Sequence, residues 1–226
     1  MNTMTQRETV RSPQKSSQNY QAWVAKAPKQ PMVLEALDPG PLGMEDVEVA
    51  VEHSGLCHSD LSVLNNDWGM SQYPAILGHE VIGRITAVGP NAKGLKAGQR
   101  VGVGWNSGSC MHCHQCMSGS HHLCPEVQAT IVGHRGGFAS HIRTHWAWAF
   151  PLPGKLNFAE AGPLLCGGIT VFAPLAMQQL RRPSKKNLRS AVTCTASFRF
   201  PQPFCQCHLS FSLRNSAIGP MSQCCL

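Results

Sequence analysis

Residues 46–60 read DVEVAVEHSGLCHSD, and this stretch decides how the rest of the sequence is interpreted. Three valines two residues apart alternate with polar or small residues, which is the spacing of a β-strand with one solvent-facing side. Cys57 follows directly, and the pair Ser59–Asp60 can cap a short helix over the next apolar residues. The stretch therefore predicts a strand, a turn that carries a cysteine, and a short helix.

The same pattern of short apolar runs extends from Tyr20 to Leu152. The runs WVAKA, VIGRITAVG, RVGVGW and FASHIRTHWAWAF are separated by the turn-forming stretches DPGPLG, GPNAKG and GHRGG. Such runs predict a mainly β domain with few helices. A second short helix is expected after Asn157, because this residue can cap the stretch FAEAGPLL.

The charge of the chain is distributed unevenly. Lys and Arg total 19 against 12 Asp and Glu, yet residues 1–180 hold 12 of each, and the last 46 residues hold 7 basic and no acidic side chains. An appended basic tail explains the excess better than a main surface built for nucleic acid, so no nucleic-acid partner is expected. We predict a flexible extension over 1–19, one domain over 20–177 and an unmatched tail over 178–226.

The tail, residues 178–226, has a composition unlike that of ordinary domains. It holds five of the eleven Cys, a single Gly, and no Trp, Asp or Glu, and it shows neither strand nor helix periodicity. One interpretation is a disordered basic tail. The hypothesis that we favour is a shift of reading frame or splice pattern near Gln178.

The N-terminus and one uncharged segment bear on location. Residues 1–19 lack the apolar stretch of a secretory signal, so a cytoplasmic location is expected, where disulfides are rare and eleven Cys indicate metal binding. Residues 161–180 carry no charge, but their Gly and Pro residues favour buried helix ends of a core over a membrane span. No membrane partner is therefore expected.

A cluster of four cysteines gives the strongest local signal. The spacing is Cys110-x2-Cys113-x2-Cys116-x7-Cys124, which can place four thiolates around one structural zinc ion. An iron–sulfur cluster is the competing metal site because Cys124 precedes a proline, but the x7 spacing and the lack of a second run count against it. Unrelated reduced thiols are the remaining alternative. The four nearby histidines are expected at the surface: His112, His114, His121 and His122.

A second set of soft ligands is distant in sequence but chemically matched. Cys57, His79 and Cys166 form the Cys₂His set that leaves the fourth position of a catalytic zinc open. A glycine lies two residues before Cys57 and another directly before His79, and both allow a close backbone approach. Asp60 can accept a hydrogen bond from His79 and fix its tautomer.

The order of SGLCHSD, PAILGHEVIGRITAVGP, GQRVGVGW, SCMHCHQCMSG and AGPLLCGGITVF resembles the zinc-dependent medium-chain alcohol dehydrogenases, particularly their cinnamyl-alcohol-dehydrogenase-like branch. The resemblance covers about residues 20–177. It implies a GroES-like domain, a partly open β-barrel with a zinc lobe. It also implies two zinc ions per chain, one at Cys57, His79 and Cys166 with Glu80 behind it, and a structural one at Cys110, Cys113, Cys116 and Cys124.

The resemblance further implies hydride transfer between a primary alcohol or aldehyde and NADP or NAD. It makes Ser59 the hydroxyl that passes the alcohol proton outward, brings His58 to the coenzyme phosphates, and places Trp68 in the substrate pocket. Relatives often carry a histidine where this chain has Ser62. Full-length relatives imply a homodimer.

One part of the family pattern is missing from the sequence. A Rossmann domain with a glycine-rich turn follows the second catalytic Cys in the family, but no G-x-G-x-x-G occurs here. We therefore expect an exposed apolar face and little activity. Two functions stay open, an alcohol dehydrogenase or aldehyde reductase and a non-catalytic zinc-binding module. Nucleic-acid binding by the zinc lobe is disfavoured because no Lys or Arg lies between Trp105 and Ile131.

Overall fold

The computed structural model describes residues 20–177 and the two-residue strand Ser197–Phe198. Within these residues the chain is mainly β-structure with three short α-helices, as the sequence predicts. The strands are β1 (Tyr20–Ala25), β2 (Val33–Leu37), β3 (Asp46–Gly55), β4 (Ala75–Ile76), β5 (Val81–Val88), β6 (Arg100–Val103), β7 (Asn106–Gly108), β8 (Gln128–Ala129), β9 (His141–His145), β10 (Phe150–Pro151) and β11 (Ser197–Phe198). The helices are α1 (His58–Asn65), α2 (His114–Met117) and α3 (Gly167–Met177), with 3-10 turns at His121–Leu123, Trp146–Trp148, Phe158–Glu160 and Gly162–Leu165.

The strands form three antiparallel sheets. The largest has the order β10-β6-β5-β3-β11, and β9 also pairs with β3 along its first half. A three-stranded sheet has the order β2-β1-β4, and β7 pairs with β8. The sheets do not join into one closed barrel within the described part of the chain, which agrees with the expected partly open barrel.

Three apolar clusters are buried among the described residues, and the two largest hold these sheets together. The predicted alternation in β3 is present, since its three valines are buried and pack against apolar residues of β5, β6 and β9. The second cluster lies between α1 and the segment before β9, and it is built on Val63, Leu77, Ile131 and Phe138. Both clusters support the loops that carry Cys57 and His79.

Glu48 differs from the prediction of a solvent-facing side for β3. Its side chain is buried, accepts a hydrogen bond from the Tyr20 hydroxyl, and forms an ion pair with Arg143 at 2.9 Å. Tyr20 lies in β1 and Arg143 in β9, so strands distant in sequence cover this face. The alternation of residues within one strand cannot predict this burial, because the covering side chains come from strands that are distant in sequence.

Helix α1 begins earlier than the predicted Ser59–Asp60 cap. Cys57 is its N-cap residue, and Asp60, inside the first turn, accepts a hydrogen bond from the Cys57 backbone N–H at 3.0 Å. The carboxylate therefore reaches back over the turn, as in a capping box. The Asn157 prediction holds, since its side chain caps the 3-10 turn Phe158–Glu160.

The expectation of buried helix ends over residues 161–180 is wrong for α3. Gly162 is buried, but Phe172 is 62% exposed, and three other apolar side chains of the helix are also exposed: Ile169, Val171 and Leu175. The expected exposed apolar face is thus present in this helix. No helix of the described residues is long and apolar enough to cross a membrane.

The predictions for residues 1–19 and for the tail lie outside the described residues, apart from β11. This strand pairs with the last two residues of β3, Ser54 and Gly55.

Candidate metal centres

The first candidate centre lies where three loops meet at the end of the largest sheet. Cys57 stands between β3 and α1, His79 lies in the loop between β4 and β5, and Cys166 ends the 3-10 turn Gly162–Leu165. Cys57 Sγ and Cys166 Sγ are 3.9 Å apart, and His79 Nε2 is 3.3 Å from Cys166 Sγ. Together with a carboxylate oxygen of Glu80, these donor atoms all lie within 4.8 Å of one another.

Asp60 holds this cluster from behind. One of its oxygens lies 3.1 Å from His79 Nδ1 and accepts the Gly78 N–H at 2.9 Å, while the other accepts the Cys57 N–H. With Asp60 as the acceptor, the neutral imidazole carries its proton on Nδ1 and its lone pair on Nε2. Nε2 is the nitrogen that faces Cys166. The expected orienting hydrogen bond is therefore present.

Two glycines allow this close packing, as the sequence predicts. A side chain at Gly55 would overlap the Glu80 carboxylate, and one at Gly78 would overlap the Phe138 ring. Gly78 also has a φ of +92°, a conformation that residues with a Cβ rarely adopt. The cluster therefore depends on backbone positions where no side chain fits.

Two pKa shifts describe the electrostatics of the cluster. Burial lowers the pKa of His79, but hydrogen bonding to Asp60 and to Cys166 outweighs it and raises the pKa to about 11. Burial raises the pKa of Glu80, whose Oε2 is buried without a hydrogen-bond partner. The site is thus anionic around His79, and a group of charges that stabilises a proton there also favours a metal cation.

These residues fit a zinc ion. A tetrahedral site with Zn–S bonds of about 2.3 Å places its sulfur atoms about 3.8 Å apart, close to the 3.9 Å between Cys57 and Cys166. Two thiolates and one imidazole are borderline-soft donors that suit zinc. The unpartnered oxygen of Glu80 is a further anionic atom beside them.

The second candidate centre is the lobe between β7 and β8. Cys110 Sγ lies 3.9 Å from Cys116 Sγ and 3.5 Å from Cys124 Sγ, and with Cys113 the four sulfur atoms lie within 4.8 Å of one another. All six cysteines of the described residues are free thiols. Four thiolates at these separations fit a structural zinc ion.

Backbone N–H groups point at the sulfur atoms of this lobe. The N–H of Cys113 donates to Cys110 Sγ, that of Cys116 to Cys113 Sγ, and that of Glu126 to Cys124 Sγ. Donors from His112 and Cys113 lower the pKa of Cys110 to about 6, because they stabilise its thiolate. The lobe is therefore arranged to hold anionic sulfur.

The lobe histidines match the expected surface positions with one exception. His112, His114 and His122 are exposed. His121 is half-buried, and its ring meets Trp148 edge to face at 6.0 Å between centroids.

The remaining predicted site residues lie around the first centre but outside its ligand cluster. His58 is exposed at the first position of α1, and Ser59 beside it is half-buried. Trp68 is half exposed and its ring lies 6.1 Å from that of Trp105. Sequence reasoning missed Trp105, whose ring meets His79 edge to face at 5.0 Å. Its only sequence signal was its place at the end of the run VGVGW.

Residues 43–154 match the family model of the alcohol dehydrogenase GroES-like domain. The chain belongs to this family. The match spans Cys57, His79 and the whole cysteine lobe, and Cys166 lies beyond its end.

Individual relatives of this GroES-like chain are dehydrogenases and reductases. Aldehyde reductase AdhA of Synechocystis sp. is 49% identical over 66% of this chain and 44% of its own length. A cinnamyl alcohol dehydrogenase structure from Sorghum bicolor has a TM-score of 0.70 and 33% identity, covering 74% of this chain and 50% of that one. The CAD structure from Helicobacter pylori complexed with NADP(H) has a TM-score of 0.67 and 26% identity, covering 72% and 49%. The chain thus spans about half the length of these relatives.

Proposed function

We propose that this chain is the zinc-bearing part of an alcohol dehydrogenase or aldehyde reductase, which exchanges hydride between a primary alcohol or aldehyde and NADP or NAD. The observation that carries the proposal is the convergence of Cys57 and His79 on Cys166, whose Sγ lies 3.9 Å from Cys57 Sγ and 3.3 Å from His79 Nε2. Three such donors hold a zinc ion and leave its fourth position for substrate. A second zinc ion belongs to the cysteine lobe, where it stabilises the fold.

A zinc ion with an open position supplies Lewis acidity toward an alcohol or carbonyl oxygen. The residues of the chain orient and tune this centre. Asp60 holds the tautomer of His79 and, through the Cys57 N–H, the start of α1. Glu80 places a buried carboxylate oxygen beside the ligands.

Four further residues have proposed roles around the zinc ion. Ser59 lies two residues after Cys57 and is half-buried, and we assign its hydroxyl the task of passing the alcohol proton toward solvent. His58 is exposed beside it and available to the coenzyme phosphates. Trp68 and Trp105 offer an aromatic wall next to His79, which suits an aromatic aldehyde or alcohol.

The relatives support this choice of chemistry and coenzyme. The Synechocystis protein is named an aldehyde reductase, the Sorghum protein a cinnamyl alcohol dehydrogenase, and the Helicobacter structure contains NADP(H). Cytoplasmic location and homodimer formation stay predictions from the sequence.

Steady-state reduction of cinnamaldehyde or benzaldehyde with NADPH, and separately with NADH, tests the proposal. We expect turnover that Cys57→Ala abolishes and that His122→Ala, at an exposed position of the lobe, leaves unchanged. Turnover that persists in Cys57→Ala would contradict the proposal.

A second candidate is a zinc-binding module without catalysis, which the four donor residues Cys57, His79, Glu80 and Cys166 favour, because four protein ligands can close a zinc site. This candidate predicts zinc in both centres and no turnover with either coenzyme. Measuring metal content and turnover on the same preparation therefore separates the two functions.

A further inference from the structure

The four cysteines of the lobe differ in how accessible they are. Cys116 and Cys124 are buried at 4% and 3% exposure, whereas Cys110 and Cys113 are only half-buried. An ion that exchanges with solvent must reach the accessible sulfur atoms before the buried ones. The approach therefore lies on the side of Cys110 and Cys113.

Two more metal-binding side chains stand on the Cys110 side. One ring nitrogen of His112, a carboxylate oxygen of Glu126 and Cys110 Sγ lie within 4.8 Å of one another. His112 and Glu126 are both exposed. The Nδ1–H of His112 donates to the Cys110 carbonyl oxygen at 2.6 Å, which leaves the lone pair of the neutral ring on Nε2. One thiolate, one imidazole and one carboxylate are all zinc ligands in proteins, and together they can form a first set of ligands.

The same side opens onto a cavity of about 400 Å³. Cys110 and Glu126 line it, together with Asp46, His134 and His145. Arg143 also lines it, but this guanidinium is paired with Glu48 at 2.9 Å and does not oppose a cation with its full charge. The cavity therefore gives a cation a path bordered by carboxylates and imidazoles.

We infer that Cys110, His112 and Glu126 form a capture site through which zinc enters and leaves the cysteine lobe. The inference rests on the proposed zinc occupancy of the lobe. The ion binds first to these three groups, and Cys110 stays bound throughout. The thiolates of Cys113, Cys116 and Cys124 then replace His112 and Glu126, and each thiol that binds releases its proton to water. The capture site sets the rate of exchange and leaves the final four-sulfur site unchanged.

Cadmium exchange on the full chain tests the inference. The chain is loaded with NMR-silent ¹¹²Cd, excess ¹¹³Cd is added, and growth of the four-sulfur ¹¹³Cd resonance is followed over time. The test variant is the double substitution His112→Asn and Glu126→Gln, in which Asn keeps a donor for the Cys110 carbonyl. The matched control is His114→Asn with His122→Asn, two exposed histidines of the same lobe outside the cluster.

We expect exchange to slow by roughly tenfold or more in the test variant, with the final intensity unchanged and the control exchanging at the wild-type rate. A test variant within twofold of the wild-type rate would overturn the inference while leaving zinc binding by the lobe intact. Equal slowing in the control would also overturn it, because the effect would not be specific to the cluster. If wild type gives no four-sulfur resonance, the proposed occupancy of the lobe fails and the capture site with it.

Discussion

Asp60 contacts three groups of the first metal centre at once, namely the His79 ring, the Cys57 N–H and the Gly78 N–H. A carboxylate behind a metal-binding histidine fixes the ring orientation and strengthens the ligand. We predict that Asp60→Asn weakens zinc binding at this centre by roughly 10–100-fold, because the anionic acceptor for His79 Nδ1–H is lost. Competition with a chromophoric chelator measures the affinity.

The control for this prediction is Asp67→Asn, an exposed carboxylate just after the same helix. It should bind zinc as the wild type does. An Asp60→Asn affinity within threefold of wild type would show that the carboxylate does not support the centre.

Gly55 is a position where one methyl group should be costly. A Cβ there would overlap Glu80 Oε2, and Gly162 packs against the Gly55 backbone, so Glu80 would have to move within a packed region. We predict that Gly55→Ala lowers the free energy of unfolding by about 1–3 kcal/mol through overpacking. Denaturant titration measures this, with Gly154→Ala as the control because nothing lies within 4 Å of its Cβ position. Equal stability of the two variants would refute the packing argument.

For single residues, the sequence identified the candidate metal ligands better than it identified the residues that surround them. Cys and His are chemically distinctive, and the flanking glycines indicate close backbone approach, so Cys57 and His79 could be singled out. Trp105 could not, because a tryptophan at the end of an apolar run is usually a core residue. Its edge contact with His79 arises only when the strand ends fold together.

Among the elements, β1, β3 and β9 are joined by one buried network around Glu48. Burial raises the pKa of this carboxyl, but hydrogen bonds from Tyr20, Arg143 and Thr86 outweigh it, so the net pKa lies below its ordinary value. A carboxyl with a lowered folded-state pKa stabilises the protein above its unfolded-state pKa, and this contribution is lost as the pH falls through the folded-state value.

We predict that Glu48→Gln lowers the free energy of unfolding by about 1–3 kcal/mol at pH 7, because Arg143 loses its buried partner. The difference from wild type should shrink as the pH falls below the ordinary pKa of a glutamate carboxyl, because wild type then loses the same charge as the pH passes through its lowered folded-state pKa. Denaturant unfolding across this range measures it. Glu52→Gln on the same strand is the control, since its ion pairs with Arg84 and Arg100 are more exposed. A difference that stays constant with pH would contradict the linkage.

Within the described part of the chain, helix α3 presents an apolar surface that the other elements leave uncovered. Val171 and Phe172 are 64% and 62% exposed. We predict that Val171→Glu with Phe172→Lys reduces self-association, seen as a higher protein concentration at the onset of light scattering, because a contiguous apolar patch is broken. The control is Met117→Lys, which changes one exposed residue in the cysteine lobe. An unchanged onset in the helix variant, or an equal rise in the control, would contradict this.

Sequence periodicity predicted the strands better than it predicted the contacts between them. Alternation predicted β3 and its buried valines, because strand geometry is local. It missed the burial of Glu48, whose partners lie 28 and 95 residues away. It also misplaced the helix segment after Cys166, because an uncharged composition does not tell whether a neighbouring element covers it.

In the whole molecule, three loops that are far apart in sequence meet at the first metal centre. Cys57 and Cys166 are separated by 109 residues, and their sulfur atoms lie 3.9 Å apart. The antiparallel sheet around β3 and β5 brings the first two loops together, and the segment after β10 returns the third to them. A sequence can supply such ligands and their flanking motifs, but only the folded chain tells whether they converge.

Zinc content by inductively coupled plasma mass spectrometry tests this convergence most directly. The comparison uses wild type, the double variant Cys57→Ser with Cys166→Ser, and the control His114→Asn with His122→Asn, two exposed histidines outside both clusters. We predict two zinc ions per chain in wild type and control and one in the Cys57/Cys166 variant. Equal zinc content in all three proteins would contradict the account, because the two sulfur atoms would then hold no metal.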